Sequence, residues 1–579
     1  MVSSLYAADS FRLWPEQKAP AGIMNLSTAD CRTPLLAGGG RHDENLILAQ
    51  SLAGLTALAV NEGRLDELVY ILEEGNSHYE LWRSRLLART GIEDRGKTNL
   101  WALIERYKGK GVCDGYILYH ADRSAGDAHT CRPGSDESVN VATTAAGLLR
   151  GLVVSEALEP AAKAAGLKCL LDVRGKSEPW AFEQFRDRLN RRGVLLQDPR
   201  LWFGRGTAIA NRFFCMYGLD APAEPVYDWM DKPGLVFGWN DGRHEQESVL
   251  QLCERGHVIS ASDWELNLSA LSIGSSAFQA KPFHDAAATA GSSVKDPAVS
   301  FCMSDGDNLQ WMLRDFAQNK SYWAAPEHGT FPIGWSLPLA DLLETGVDIY
   351  QYLQQTQPKK SGVFMMTEYF FPDIYGRRLP AEQRRALLQQ LGSRAERAIA
   401  ASGVDILGFL VDDLNSPATR ESLEVMAAAM PSLNALLVWP FHPYQGGNGS
   451  VMWIQGAKGQ IPLITCKYSL WADRKDRRAG TPAKLAREIN EDARAGGKDY
   501  QAWAIVHAWS GFKEYAGPDE SAENGKYLAP GTKAGVAPTE WCVKRLDPAI
   551  QVVTPAELVR RIKAQRPNGC GLKSDTLSP

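Results

Sequence analysis

Asp305-Gly306-Asp307-Asn308 closes a fully apolar run at residues 298–304. Two carboxylates and an amide around a glycine can hold a cation or the hydroxyls of a sugar. The same residue types also build turns. The full D-x-D-x-D-G loop of a calcium hand is absent, so calcium is not specified. Glu368 follows the apolar run 362–367, beside Met365, Met366 and Tyr369. A carboxyl there is partly desolvated, which raises its pKa and suits a general acid; the competing reading is a helix cap or a partner for an arginine such as Arg377. Asp412 and Asp413 close the run 406–411, where one could serve as nucleophile or base. Glu368 with one of that pair would form the two-carboxylate set of a glycosidase. Around these, Trp239, Asp263, Trp264, Trp335, Tyr369, His442, His507 and Trp509 also sit at or just after the ends of apolar runs. The tryptophans would make a stacking platform for sugar rings. A lone histidine more often makes a structural hydrogen bond. The substrate contacts expected are therefore Asp305, Asp307, Asn308, Asp263, Tyr369, His442 and His507, with Trp239, Trp264, Trp335 and Trp509 as stacking faces.

The elements that must carry these residues follow from periodicity. From residue 234 onward nine short apolar runs recur, at 235–239, 257–262, 298–304, 333–338, 362–367, 406–411, 435–440, 463–466 and 502–506. Each ends in polar or aromatic residues, and helical spacing separates several, as at 381–402 and 417–430. Functional groups at the carboxyl ends of strands are what a (β/α) barrel-like domain presents. Residues 1–218 read as an N-terminal α/β domain with parallel sheets. Helical spacing is expected at 45–61, 66–74 and 140–149, and buried strands at 115–120 and 168–173. Turn residues at 220–225 and 231–234 mark a linker. The polar stretch 274–297 reads as a long loop over a site, and the tail 566–579 as disordered. The expected domains are thus 1–218 and 234–565. Gly38-Gly-Gly40 does not fit the pattern of a dinucleotide loop.

Composition excludes several classes. The chain has 579 residues, 44% hydrophobic and 23% charged, with a net charge of −5. No basic excess points to nucleic acid, and no apolar stretch approaches the length of a membrane span. The 10 cysteines form no C-x-x-C and no zinc spacing; Cys302 and Cys466 read as buried thiols, and Cys113 with Cys131 as a pair that could be bridged. There is no P-loop, H-E-x-x-H, G-x-S-x-G or kinase set; His244-Glu245 begins like a zinc helix but lacks the second histidine. No cofactor is called for, and no signal sets an oligomeric state. The 17 tryptophans are unusually many and suit a packed core as well as a sugar cleft. The segment Ser-Leu-Tyr-Ala-Ala-Asp near the start resembles a small-residue cleavage region, so a periplasmic or secreted location is expected, with the cytoplasm as the alternative.

The stretch Phe301-Cys-Met-Ser-Asp305-Gly-Asp307-Asn308-Leu-Gln310-Trp311 resembles the S-D-G-D-N-x-Q-W signature of the GxGYxYP family, described as glycoside hydrolases. Phe331 to Pro338 is similar to the family's P-x-G-W segment. Residues 140–147, 171–176 with 180–182, 261–269 and 553–557 fit as well. The name-giving motif departs: Met366-Thr-Glu368-Tyr369-Phe-Phe371-Pro372 keeps Tyr369 and Pro372, while Met366 and Glu368 replace both glycines and Phe371 the second tyrosine. That places a carboxylate where the family has none. The resemblance implies an N-terminal α/β domain, a barrel-like C-terminal domain and carbohydrate processing. It carries over no catalytic assignment.

Residues and resemblance together lead to a hydrolase acting on an oligo- or polysaccharide, with Glu368, Asp412 and Asp413 as the catalytic candidates. The rivals are a polysaccharide lyase using His507 or Tyr369 as base, a deacetylase with a metal at Asp305 and Asp307, and a non-catalytic glycan-binding protein.

Overall fold

The computed structural model describes residues 11–566 except 32–43, 122–135, 219–222, 241–243, 285–292, 442–443, 473, 515–522, 524 and 528. His442, Cys131, the first ten residues on which the export reading rests, parts of the expected linker and long loop, and all but the first residue of the expected tail lie outside the described residues.

The N-terminal part is built from short parallel sheets. Gly22–Ser27 lies between Glu67–Leu72 and Glu93–Lys97, and Gly115–Tyr119 between Gly151–Ser155 and Cys169–Asp172. A third sheet runs in the order His257–Ala261, Gly234–Gly238, Gly193–Leu196, Phe214–Met216. Strands covered on both faces need no polar alternation, which is why most of them read as continuous aliphatic runs. The helix Glu44–Asn61 is apolar all round and is buried over nearly its whole length among them.

The C-terminal part is one large sheet of eleven strands, curled into a half-barrel. Its central parallel order is Ala435–Pro440, Ile406–Val411, Ser361–Met366, Ile333–Leu337, Ala298–Met303, Gln501–Val506. Among the described residues the sheet does not close on itself. One edge carries the antiparallel pair Val451–Gly456 and Gly459–Thr465, the other Tyr468–Leu470 and Ala479–Gly480. The helix Pro555–Ala564 packs against the sheet, its start seated on Gly334: a Cβ there would lie 2.5 Å from Pro555.

Three expectations change. Residues 66–74 form the strand Glu67–Leu72, not a helix, because the run Leu68 to Leu72 is too short and too continuously apolar for helical spacing to decide. The strand Cys169–Asp172 is not buried; it is the edge of its sheet, and Leu170 is 38% exposed. The runs at 235–239 and 257–262 are strands, but they belong to the smaller sheet and not to the half-barrel: Gly234–Gly238 pairs with Gly193–Leu196, and His257–Ala261 pairs with Gly234–Gly238. Among the described residues no helix is long and apolar enough to cross a membrane.

Candidate active site

A cavity of about 930 Å³ opens where the carboxyl ends of strands from two sheets converge. Ala298–Met303 delivers Ser304, Asp305, Asp307 and Asn308; Gln501–Val506 delivers His507 and Trp509. Gly234–Gly238 and His257–Ala261, from the smaller sheet, deliver Trp239, Asp263 and Trp264. Ser361–Met366 supplies Met366 and Tyr369, and Ala435–Pro440 supplies Trp439, Phe441 and Tyr444. The two sheets are stitched at this point by a backbone bridge: Tyr369 N–H donates to Ile259 O at 2.8 Å, and Ile259 N–H donates back at 3.1 Å.

The turn after Ala298–Met303 fixes two carboxylates differently. Asp305 adopts a left-handed backbone (φ 63°), rare outside glycine and a mark of strain at functional sites. Its carboxylate accepts from Trp509 Nε1 at 2.7 Å and from the Ser304 hydroxyl, which in turn accepts Ala508 N–H at 3.0 Å. Gly306 is required by close approach, since a Cβ would lie 2.3 Å from Ser336 Cβ. Gly306→Ala is therefore expected to push the turn off Ser336 and cut activity at least tenfold; full activity with unchanged melting would show that the turn can give. Asp307 is 8% exposed. Burial, followed by the charge of Asp305, pushes it up to about 8. Asn308 caps the short helix Leu309–Leu313, accepting Trp311 N–H at 3.2 Å.

Glu245, the first residue of the helix Glu245–Cys253, faces these groups. Tyr369 O–H donates to its Oε1 at 3.0 Å. A helix N-terminus favours an anion by roughly 0.3–1 kcal/mol, too little to offset the loss of water. Burial pushes Glu245 up to about 7 despite that hydrogen bond, with the Asp305 charge adding to the rise. Aromatic rings complete the walls. Trp239 stacks on Tyr369 at 5.9 Å and 18°, Trp471 on His507 at 3.8 Å and 7°, and Trp311 leans on Trp509 at 4.9 Å. Burial pushes His507 down to about 4, so it is neutral at pH 7, with Nδ1 2.7 Å from Ser510 Oγ. Tyr444, also left-handed at φ 71°, packs edge-on to Trp471.

Of the residues expected from sequence, Trp239, Asp263, Trp264, Asp305, Asp307, Asn308, Tyr369, His507 and Trp509 line this cavity. Glu368 does not. Successive side chains at a strand end point opposite ways, so Tyr369 enters the cavity while Glu368 turns beneath it into an ion pair with Arg394. Its suggested partner Arg377 binds Glu254 instead. Asp412 and Asp413 also fall outside: both backbone N–H groups donate to the Asp373 carboxylate, and Asp412 Oδ1 accepts Gln246 Nε2 at 2.8 Å. Asp413 accepts Asn415 N–H at 2.8 Å, a turn contact. Trp335 is fully buried, donating to His328 Nε2 at 2.8 Å among Phe316 and Trp323, so it packs the core and cannot stack on a ligand. Glu245, Tyr444 and Trp471 were not among the expected residues. Glu245 stands next to a histidine in a fragment that reads only as an incomplete zinc motif. Among the described residues no three His, Cys, Asp or Glu side chains converge on a metal-sized site.

Residues 297–516 match the domain described as "GxGYxYP putative glycoside hydrolase C-terminal domain", and residues 113–189 the "GxGYxYP_N second domain", together about half of the chain. The chain belongs to the GxGYxYP family. A crystal structure described as a "putative hydrolase" from Bacteroides thetaiotaomicron VPI-5482 is similar over 95% of this chain and 96% of that one, at 22% identity and a TM-score of 0.73, which extends the fold likeness to nearly the whole molecule. A domain of unknown function from Bordetella bronchiseptica aligns at 12% identity and a TM-score of 0.13, over 77% of this chain and 94% of that one, too low to bear on the fold. No curated protein matches the chain. In this GxGYxYP protein the two glycine positions of the motif name have separate fates: Met366 lines the cavity, and Glu368 anchors the strand end from below.

Proposed function

We propose that this GxGYxYP protein hydrolyses a glycosidic bond in an oligo- or polysaccharide, with Glu245 as general acid and Asp305 as nucleophile or base. The observation that carries the reading is the contrast between two carboxylates of one cavity. Glu245 is desolvated and held near 7, so it keeps a proton to give to a leaving oxygen. Asp305 accepts an indole N–H and a hydroxyl in the same cavity. A carboxyl that holds a proton, in one cavity with a carboxylate that accepts hydrogen bonds, is the pairing that glycoside hydrolysis uses. The aromatic walls suit the C–H faces of sugar rings. The family description points to the same class of reaction.

The test is product mass spectrometry in oxygen-18 water over a panel of glycans. A shortened glycan carrying the label is the expected product. A shortened glycan with a new unsaturation and no label would mean elimination, and loss of acetyl from an intact chain would mean deacetylation; either sinks the assignment. The pH profile gives a second check. A general acid works only while protonated, so kcat/KM is expected to fall as pH rises through about 7, the value to which burial lifts Glu245. An alkaline limb that survives unchanged in Glu245→Gln would remove Glu245 from that role.

A further inference from the structure

The charge inside the cavity is lopsided. Glu245, Asp263, Asp305, Asp307 and Asp315 are its carboxylates, and Arg314 is its one arginine or lysine among the described residues. Arg314 is already committed, donating to Glu73 Oε1 at 2.7 Å. Asp307 carries a penalty in this arrangement. It is more than nine-tenths buried, it lines the cavity, and no described side chain donates a hydrogen bond to its carboxylate. Its own backbone N–H is the donor it has, and a buried carboxylate with no side-chain donor and no counter-charge is costly. Its neighbour Asp305, by contrast, has two donors. The hydrolytic reading does not need Asp307 as acid or nucleophile, so its placement calls for something on the substrate.

We infer that the glycan this cavity takes carries a protonated amine, an amino sugar whose ammonium group docks on Asp307. An ammonium brings up to three donors and the missing positive charge to the same point. A charge-assisted hydrogen bond of that kind is about twice as strong as a neutral one. The rings favour the same ligand: the aromatic walls, among them Trp239, Tyr369 and Trp509, attract a cation while also packing on the sugar's C–H face. A uronic acid would meet five carboxylates with no free arginine or lysine among the described lining residues. A neutral sugar would offer Asp307 hydroxyl donors but no charge. The position of burial and repulsion on Asp307, held up at about 8, is what a counter-charge would relieve.

This inference rests on the hydrolytic reading, and the experiment separates the two. Matched oligosaccharides that differ in one group, free amine, hydroxyl, acetamide or carboxylate, are compared in gluco and galacto series and in both anomeric linkages, with kcat/KM and thermal melting measured for each. The amine member of the preferred series is expected to be cleaved at least tenfold better than its hydroxyl counterpart, and Asp307→Asn is expected to reduce that ratio to about one. Preferential cleavage of the hydroxyl, acetamide or carboxylate member overturns the amine while leaving hydrolysis intact. No cleavage of any member, with melting raised by the amines and not by their neutral counterparts, sinks the hydrolase and keeps the amine site. No cleavage and no amine-dependent rise in melting overturns both. A wild-type amine preference that persists undiminished in a folded Asp307→Asn protein removes Asp307 as its receptor.

Discussion

Glu245→Gln is expected to lower kcat/KM on an unactivated glycan by about 10³-fold, the scale of a lost general acid. The substitution is nearly isosteric. The Gln carbonyl can still accept the Tyr369 hydroxyl now bonded to Glu245 Oε1, and Glu247 keeps an acidic residue in the first turn of the helix. The loss should therefore appear with melting unchanged. It should also depend on the leaving group. An aryl glycoside departs with little proton assistance, so its cleavage should suffer far less than that of a sugar leaving group. Asp305→Asn makes the complementary case: it keeps an acceptor for Trp509 Nε1 but removes the negative charge, and both kinds of substrate should suffer alike. If Glu245→Gln cleaves the unactivated glycan at the wild-type rate, the acid lies elsewhere. If both variants lose the same factor on both substrates, the division of labour between the two carboxylates is wrong.

The contrast between Glu245 and Glu368 shows what a sequence can and cannot carry. The strand ends were legible because parallel strands covered on both faces are written as uninterrupted apolar runs; all nine runs are strands, and residues that follow several of them gather at one cavity. The turn at Asp305–Asn308 was legible because small and acidic residues directly follow such a run. Which sheet a strand joins was not legible. Gly234–Gly238 and His257–Ala261 look like the other runs, and their place in the sheet of Gly193–Leu196, which pairs with Gly234–Gly238, is set by contacts distant along the chain. Facing was not legible either. A run ending in Glu368-Tyr369 states that one residue points into the site and the other away, and the sequence gives no sign of which. Arg394 decides it, from a helix 26 residues further on. Glu245 was hidden for the opposite reason: nothing near it in sequence is unusual, and the phenol that meets it belongs to Tyr369, 124 residues away. Trp335 was misjudged because a tryptophan at a run end serves packing and stacking equally well, and only the ring cluster of Phe316, Trp323 and His328 assigns it to the core.

Arg394→Met is expected to cost about 3–5 kcal/mol of stability, the scale seen when one partner of a buried charge cluster is removed. Arg394 is buried and reaches three carboxylates at once: Glu368, Asp341 at 2.9 Å and Glu344 at 2.9 Å. Those carboxylates tie distant parts of the molecule together. Glu344 accepts the N–H groups of Leu13 and Trp14 at 3.1 and 3.0 Å, and Asp341 accepts Trp14 Nε1 at 2.9 Å and the Ser260 hydroxyl at 3.1 Å. Without the guanidinium, three acids would share a dry site, with Arg12 near Glu344 alone to offset them. Burial already pushes Asp341 up, whereas Arg394 holds Glu344 below its ordinary value against its own burial. The Glu344 contribution is thus present above the ordinary carboxylate range and lost as pH falls through the depressed value, so acid should weaken the cluster where Glu344 takes up a proton. Glu368→Gln removes one charge from an over-supplied set and leaves Arg394 two carboxylates. Its melting should fall by less than that of Arg394→Met, and its kcat/KM should stay within about threefold of wild type. Measured beside Glu245→Gln on one substrate, the pair decides the question. A 10³-fold loss at Glu368 with melting intact would return the catalytic role to the residue that the apolar run first suggested, and would require the Arg394 pair to open during the reaction.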